Sequence, residues 1–101
     1  MVLIYTTCRD TAEAVKLGNI ILEKKLAVCV NLWPIQSLCV AETGVRSERE
    51  AVLLIKTNEN KLQAVEDLIS HNHTYATPFI GAVNLHRLNR AYKEWMQKMV
   101  A

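Results

Sequence analysis

Four apolar segments, joined mainly by amphipathic ones, limit the folds open to this sequence more than any other feature. They are residues 2–8, 26–40, 51–57 and 79–85, rich in β-branched and other apolar side chains that favour strands. Segments with apolar residues at three- and four-residue spacing, typical of helices, follow the first, third and fourth. We therefore predict a ferredoxin-like α+β fold: β-α-β-β-α-β with a C-terminal helix and an antiparallel sheet.

Capping signals predict where the helices begin. Asp10 followed by Glu13 matches the reciprocal capping pattern, so the first helix should start just after Asp10. Gly18 lies on the apolar face of this helix, where it would let the helix approach the sheet closely. Residues 58–60 are predicted to cap the second helix, and the last helix should begin near Asn89. The stripe predicted to be buried on that last helix is Leu88, Ala91, Tyr92, Trp95 and Met99.

Two features predict how the middle of the chain is arranged. Pro34 interrupts the second apolar segment and has no N–H to donate to a sheet, so it indicates an edge, a bulge or a bend. The polar residues 42–50 include Gly44 and are typical of a hairpin connection.

Length and composition favour a single cytoplasmic domain spanning residues 1–101. No apolar run approaches the roughly 20 residues of a membrane helix, and the start lacks the basic leader of a signal peptide. Three widely spaced cysteines suit a reducing compartment. Half of the residues are hydrophobic, which is high for so small a domain and predicts a homo-oligomer.

The charge pattern and the motifs exclude several function classes. The net charge is +2, and Arg87, Arg90 and Lys93 are too few for a nucleic-acid surface. We find no nucleophile elbow, phosphate loop, dinucleotide fingerprint or zinc-protease helix. The sequence therefore predicts a binding protein with no nucleic-acid or membrane partner, and not an enzyme.

Five strings resemble, in order and spacing, those of the CutA divalent-cation tolerance family, and the resemblance covers nearly all of the chain. They are YTTCRD at 5–10, EKKLAVCVN at 23–31, Ser37–Leu38 with Ile55–Lys56–Thr57, His73 with Tyr75 and Pro78, and Tyr92 with Trp95. The resemblance is that of a diverged member, with Thr74 and Phe79 where the family has a proline and an acidic residue. The resemblance implies a homotrimer in which sheets pair at their edges, and a link to copper or another divalent cation.

Soft donors are the candidate metal ligands. Thiolate and imidazole prefer copper or zinc to hard cations, which singles out Cys8, Cys29, His71 and His73, with Cys39 as a further thiol. No Cys-x-x-Cys or His-x-x-x-His occurs, so the spacing alone encodes no closed tetrahedral site. Packing is the alternative role for the cysteines, and capping or solvation for the histidines.

A second candidate site leaves an alternative function open. His73, Tyr75 and Lys56 could converge in a cleft between subunits and hold either a metal or an anion. The alternative is therefore a trimeric, signalling-type regulatory module that binds a small anionic ligand in this inter-subunit cleft. For the copper function, we expect Cys29 and His73 to matter more than His86, which follows the fourth strand beside Arg87.

Overall fold

An antiparallel sheet of four strands lies at the centre of the structure, a computed structural model that describes residues 1–100. The strand order is β2-β3-β1-β4, and all three strand pairs are antiparallel. This confirms the predicted ferredoxin-like α+β fold. In chain order the elements are β1 (Val2–Cys8), α1 (Thr11–Glu23), β2 (Cys29–Ala41), β3 (Gly44–Thr57), a 3-10 turn (Glu59–Lys61), α2 (Leu62–Asn72), β4 (Ile80–Asn84) and α3 (Arg90–Met99).

Strand β1 has one buried face and one half-buried face. Successive side chains of a strand point to opposite faces of the sheet, so every second residue meets the helices. The buried set is Val2, Ile4, Thr6 and Cys8, whereas Leu3, Tyr5 and Thr7 lie on the other face and are half-buried. Helices α1 and α2 both contribute to the core on the buried face, through Ala14, Leu17, Ile21, Val65 and Ile69.

Helix α1 begins where the capping pattern predicts. The Asp10 side chain accepts a hydrogen bond from the Glu13 N–H at 2.8 Å, and the Glu13 carboxylate reaches back to the Arg9 N–H. The first bond satisfies an N–H group that the helix itself leaves unpaired, and the second joins the first turn of the helix to the residue before the cap. A Cβ at Gly18 would lie 3.0 Å from Val30 Cγ2, so the expected close approach of helix and sheet is also observed.

The end of α1 is shaped by a left-handed residue. Lys25 has φ of 55°, and the N–H groups of Lys25 and Leu26 donate to the carbonyls of Leu22 and Ile21. This is the Schellman arrangement, in which glycine is the preferred residue at the left-handed position. Lys25 therefore adopts its conformation at a steric cost.

The predicted cap of the second helix is wrong in detail. Asn58 precedes a 3-10 turn at Glu59–Lys61, its side chain makes no capping hydrogen bond, and α2 begins only at Leu62. In this turn the Lys61 N–H donates to the Asn58 carbonyl, so a backbone hydrogen bond takes the place of a side-chain cap.

Strands β2 and β3 extend far beyond the rest of the sheet as a two-stranded ribbon, residues 35–50. β1 pairs with β3 only over residues 51–57, whereas β2 pairs with β3 along its whole length. The predicted hairpin connection at 42–50 is therefore too long: the turn is Glu42–Thr43, and β3 starts at Gly44 with φ of 118°. Most of residues 42–50 are polar, and the ribbon is largely exposed. Pro34 lies on edge strand β2, one of the predicted positions.

Helix α3 buries a different side from the predicted one. Met96 and, just after the helix, Val100 are buried, whereas Trp95 and Met99 are 44% and 49% exposed. The periodicity correctly predicted an amphipathic helix. Which of its residues are buried depends on where α3 packs against the rest of the fold. The helices in residues 1–100 are all too short or too polar to span a bilayer.

Candidate functional site

Three potential metal donors meet where β1 passes into α1. Ligand atoms of Cys8, Glu13 and His73 all lie within 4.8 Å of one another, and we call this group the Cys8 cluster. Cys8 is the last residue of β1, and Glu13 lies in the first turn of α1. His73 directly follows α2, and its Nε2 lies 2.7 Å from the Thr7 carbonyl oxygen near the end of β1. Two of these residues are predicted ligands, and Glu13 is a donor that the sequence analysis identified only as a cap.

Glu13 holds two backbone segments together with one carboxylate. Oε1 accepts from the Arg9 N–H at 2.8 Å, and Oε2 accepts from the Thr74 N–H at 2.9 Å. Burial raises the pKa of this carboxyl, but the hydrogen bonds from Arg9 and Thr74 outweigh it and hold the pKa below its usual value. Glu13 is therefore an ionised, nearly buried carboxylate, only 5% exposed.

The ring of His73 is hydrogen-bonded at both nitrogens. Nδ1 accepts from the Tyr75 N–H at 3.0 Å, so the neutral ring carries its proton on Nε2. Nε2 donates this proton to the Thr7 carbonyl at 2.7 Å. These bonds attach the segment after α2 to the end of β1.

The thiol of Cys8 is protonated at neutral pH. Burial, followed by the charges of Glu13, Asp10 and Glu50, raises its pKa to about 12. Reactive cysteines show the opposite shift, because nearby positive charge stabilises their thiolate. Cys8 is therefore not a nucleophile in this state.

Tyr75 extends the same hydrogen-bonded region towards the ribbon. Its hydroxyl donates to Oε2 of Glu50 at 2.5 Å, and its ring lies 4.8 Å from that of His73, centroid to centroid. Burial first, then the hydrogen bond and charge of Glu50, raise the pKa of Tyr75. A cavity of about 400 Å³ borders Tyr75, and its charged lining is Glu48, Glu50 and Arg46. Two carboxylates against one guanidinium make this cavity acidic.

The Cys8 cluster fits a soft metal ion by donor type, but each donor is already occupied. A metal would have to displace the Cys8 proton and one hydrogen bond of His73, while Glu13 is held by two N–H groups. In the form described here the cluster joins β1, α1 and the segment after α2. Metal binding would exchange some of these bonds for coordination.

The remaining predicted ligands lie apart from this cluster. Cys29 is on edge strand β2 opposite Lys56, and its thiol is 3.8 Å from the Val30 carbonyl oxygen. His71 is exposed at the end of α2, with Nδ1 2.9 Å from the Asp67 carbonyl oxygen. Cys39 is an exposed residue of the ribbon and lines the acidic cavity beside Tyr75.

The predicted cleft of Lys56, Tyr75 and His73 is not assembled within one chain. Tyr75 and His73 are neighbours at the Cys8 end of β1, but Lys56 pairs with Leu3 near the start of that strand. The Lys56 Nζ lies 5.9 Å from the centroid of the Tyr92 ring. A site containing all three residues would need a second subunit, as the sequence analysis supposed.

Two carboxylates of this region were missed as site residues. The sequence identified Glu13 as part of a cap, but nothing in it indicates the contact with Thr74. Glu50 was placed in a connection, whereas it lies on β3 opposite Ile35 and bonds Tyr75. Only the fold reveals these partners, because they are far apart in the chain.

Comparisons with known proteins agree in pointing to one family. A family model described as CutA1 divalent ion tolerance protein matches residues 2–99. Relatives named divalent-cation tolerance protein CutA, from Archaeoglobus fulgidus and Thermococcus kodakarensis, are 34% and 32% identical over 96% and 98% of this chain and 95% of each relative. The solved structure called periplasmic divalent cation tolerance protein CutA, from A. fulgidus, has a TM-score of 0.95 at 33% identity and covers 100% of both chains. CutA1 from Oryza sativa gives 0.94 at 32% identity, over 99% of this chain and 93% of that one.

Proposed function

Because the chain belongs to the CutA1 divalent ion tolerance family, we propose that it is a homotrimeric divalent-cation tolerance protein that binds copper or a similar metal ion and is not an enzyme. The observation that carries the metal-binding part is the Cys8 cluster, where a thiol, an imidazole and a carboxylate lie within 4.8 Å. Thiol and imidazole donors favour copper among the first-row divalent ions. Cys8, Cys29 and Cys39 are free, which suits a reducing cytoplasm.

Cys8 and His73 would hold the ion, and Glu13 would keep His73 in position. Binding releases the thiol proton of Cys8, whose pKa is about 12, so copper affinity should be moderate and rise with pH. The Glu13 bond to the Thr74 N–H fixes the backbone beside His73. An imidazole held at a defined position is a better ligand than a mobile one.

Copper titration of matched variants tests this site. We expect Cys8→Ser and His73→Gln each to lower affinity by about tenfold or more, as loss of a metal ligand or its support commonly does. Cys39→Ser and His86→Gln, which alter an exposed thiol and an exposed imidazole, should leave affinity within about twofold, well under 1 kcal/mol.

Two results would contradict this location. Equal affinity in all four variants would indicate adventitious surface binding. If a fifth variant, Cys29→Ser, loses affinity and the other four do not, the ion is bound at Cys29, a ligand predicted from the sequence, together with donors from a neighbouring subunit.

Exposed apolar surface supports the proposed trimer. Leu38, Val40 and Val45 of the ribbon are 71%, 92% and 74% exposed. An unsupported two-stranded ribbon is marginally stable in water, and its free edges invite pairing with another chain. Leu54 lies on the sheet face away from α1 and α2, across from Tyr5. A neighbouring subunit on this face and along the ribbon would cover the exposed apolar side chains and pair with the free edges of the ribbon.

Substitutions at adjacent positions of β3 separate folding from assembly. Leu53 is fully buried against the helices, so Leu53→Asp should prevent folding by burying an unpaired charge. Leu54→Asp places the charge on the opposite, half-buried face and should leave a folded monomer. Light scattering should give the mass of three chains for the wild type. A monomeric wild type at micromolar concentration would refute the trimer.

The alternative, a regulatory module that binds a small anion in the inter-subunit cleft, is less well supported. The cavity beside Tyr75 carries Glu48 and Glu50, which repel an anion. Titration with a panel of nucleotides, run beside the copper titration, distinguishes the two functions. Saturable nucleotide binding that Tyr75→Ala or Lys56→Ala abolishes, with no specific copper binding, would favour the alternative.

A further inference from the structure

A second cavity lies at the other end of the molecule, between α3 and the connection that precedes it. Its volume is about 310 Å³, and we call it the cationic cavity. Arg87 and His86 line it from the connection, and Lys93 from the first turn of α3. From the sequence alone, Arg90 is as plausible a spatial neighbour of Arg87 as Lys93 is. In the structure, Arg87 and Lys93 line the cavity and Arg90 does not.

Among the described residues 1–100, no carboxylate lines the cationic cavity. The amide side chains of Asn58 and Gln97 are its other polar lining groups, and both can donate hydrogen bonds. The ion pairs within residues 1–100 are Arg9–Asp10 and Arg46–Glu48, so neither Arg87 nor Lys93 is neutralised by a carboxylate of the described chain. Two unpaired cations on one concave surface create a positive potential that favours an anion.

The rest of the cavity is apolar. Leu85 and Leu88 are half-buried, and Met96 is only 1% exposed, so their side chains provide a fixed apolar surface. The cavity presents more polar than apolar surface, which suits a charged ligand, and about 310 Å³ is near the lower end of the size range of small-molecule sites. The size therefore suits a small organic anion, and a nucleic-acid strand would need a far longer surface.

We propose that the cationic cavity binds a small organic phosphate monoester. A phosphate monoester carries close to two negative charges at neutral pH, which matches the two cations Arg87 and Lys93. A guanidinium pairs with two phosphate oxygens at once, and an ammonium adds a point charge. The organic group of the ester would lie on Leu85, Leu88 and Met96.

This site is independent of the Cys8 cluster. The cavity is lined by Met1 and Leu85, whose backbones are hydrogen-bonded at the start of β1, whereas Cys8 ends that strand. Seven residues of extended strand separate the two ends by about 20 Å. Anion binding in the cationic cavity therefore does not depend on metal binding at the Cys8 cluster.

Phenyl phosphate is a suitable probe, with inorganic phosphate and benzoate as comparison ligands, and the intact protein as the sample. Calorimetry or amide chemical shifts should show saturable binding of one phenyl phosphate per chain, tighter than either comparison ligand. The double variant Arg87→Gln/Lys93→Gln should weaken binding by about tenfold or more, since charge-assisted hydrogen bonds are lost. The matched control Arg90→Gln/Lys98→Gln removes two exposed cations of α3 that do not line the cavity, and should change affinity by less than about twofold.

Thermal unfolding of both double variants verifies that each remains folded. Equal losses in the two double variants would overturn the proposal, because diffuse positive charge would then explain binding. Absence of saturation at about 10 mM phenyl phosphate, well beyond a millimolar Kd, would overturn it as well. Benzoate binding as tight as phenyl phosphate would also overturn the proposal, because a carboxylate monoanion would then bind as well as the phosphate dianion.

Discussion

Oε2 of Glu13 accepts a hydrogen bond from the backbone N–H of Thr74 at 2.9 Å, across 61 positions of sequence. The same carboxylate caps α1 through the Arg9 N–H. One side chain thus fixes the start of a helix and holds the segment that contains His73. The position of the candidate ligand therefore depends on a residue whose apparent role in the sequence is only local.

Replacing Glu13 by Gln should lower the free energy of unfolding by about 1.5–3 kcal/mol, the range for hydrogen bonds to a charged group. The amide keeps the shape but loses the charge, and its NH₂ would face an N–H donor. Urea unfolding measures the effect. Glu23→Gln, at the exposed end of the same helix, is the control and should change stability by less than about 0.5 kcal/mol. Equal stability of the wild type and Glu13→Gln would show that the carboxylate contributes no net stability.

At acid pH, the stabilisation of the folded state by the Glu13 carboxylate should be lost. Its pKa is lowered in the folded state, so its contribution is present above the unfolded value of about 4.3 and is lost as pH falls through the folded pKa. The stability difference between wild type and Glu13→Gln should therefore shrink below about pH 4. Urea midpoints at pH 7 and pH 3 provide the comparison. A stability difference of the same size at both pH values would show that the ionised carboxylate of Glu13 is not the source of the stabilisation.

Tyr75→Phe should destabilise the protein by about 1–3 kcal/mol, because Glu50 is left without the hydroxyl that it binds. Glu50 is only 9% exposed, so water replaces that donor poorly. Tyr92→Phe is the control: the hydroxyl of Tyr92 makes no hydrogen bond to the described residues 1–100. If both variants unfold at the same denaturant concentration, the Tyr75–Glu50 bond is not a net source of stability.

Lys25→Gly should stabilise the protein by about 0.5–1 kcal/mol. The left-handed conformation at Lys25 costs a residue with a side chain about 1–2 kcal/mol, and the greater unfolded-state entropy of glycine offsets only part of that gain. Lys24→Gly tests the same change at φ of −84°, where no strain is relieved, and should destabilise. Thermal unfolding separates the two cases, and a loss at both positions would mean that Lys25 is unstrained.

Local patterns predicted much of the fold. The run of β-branched and apolar residues at 2–8 predicted β1 with its observed bounds, and the Asp10–Glu13 pair located the start of α1. Both features involve residues that are close together in the sequence, so they can be recognised without knowing the fold. Gly18 was placed correctly because a glycine on an apolar helix face commonly marks a close contact.

Long-range docking was not predictable in the same way. The α3 stripe was assigned to Trp95 and Met99, but the helix turns Met96 inward, because the docking angle depends on the whole core. Likewise, no local signal brings Glu13 to Thr74, or Tyr75 to Glu50. Cys8 and His73 were both candidates, but only the fold shows that they meet and that Cys29 does not join them.

The central position of β1 has a consequence for how the chain folds. β1 is made first, yet it lies between β3 and β4, so its second neighbour exists only after residues 80–84 have been synthesised. Pairing strands so distant in sequence requires closure of long loops before the contacts are gained. We therefore expect folding in milliseconds to seconds, without a rapid local phase that completes the sheet. A nascent chain that stops before β4 would expose the unpaired edge of its first strand, where it can pair with other chains.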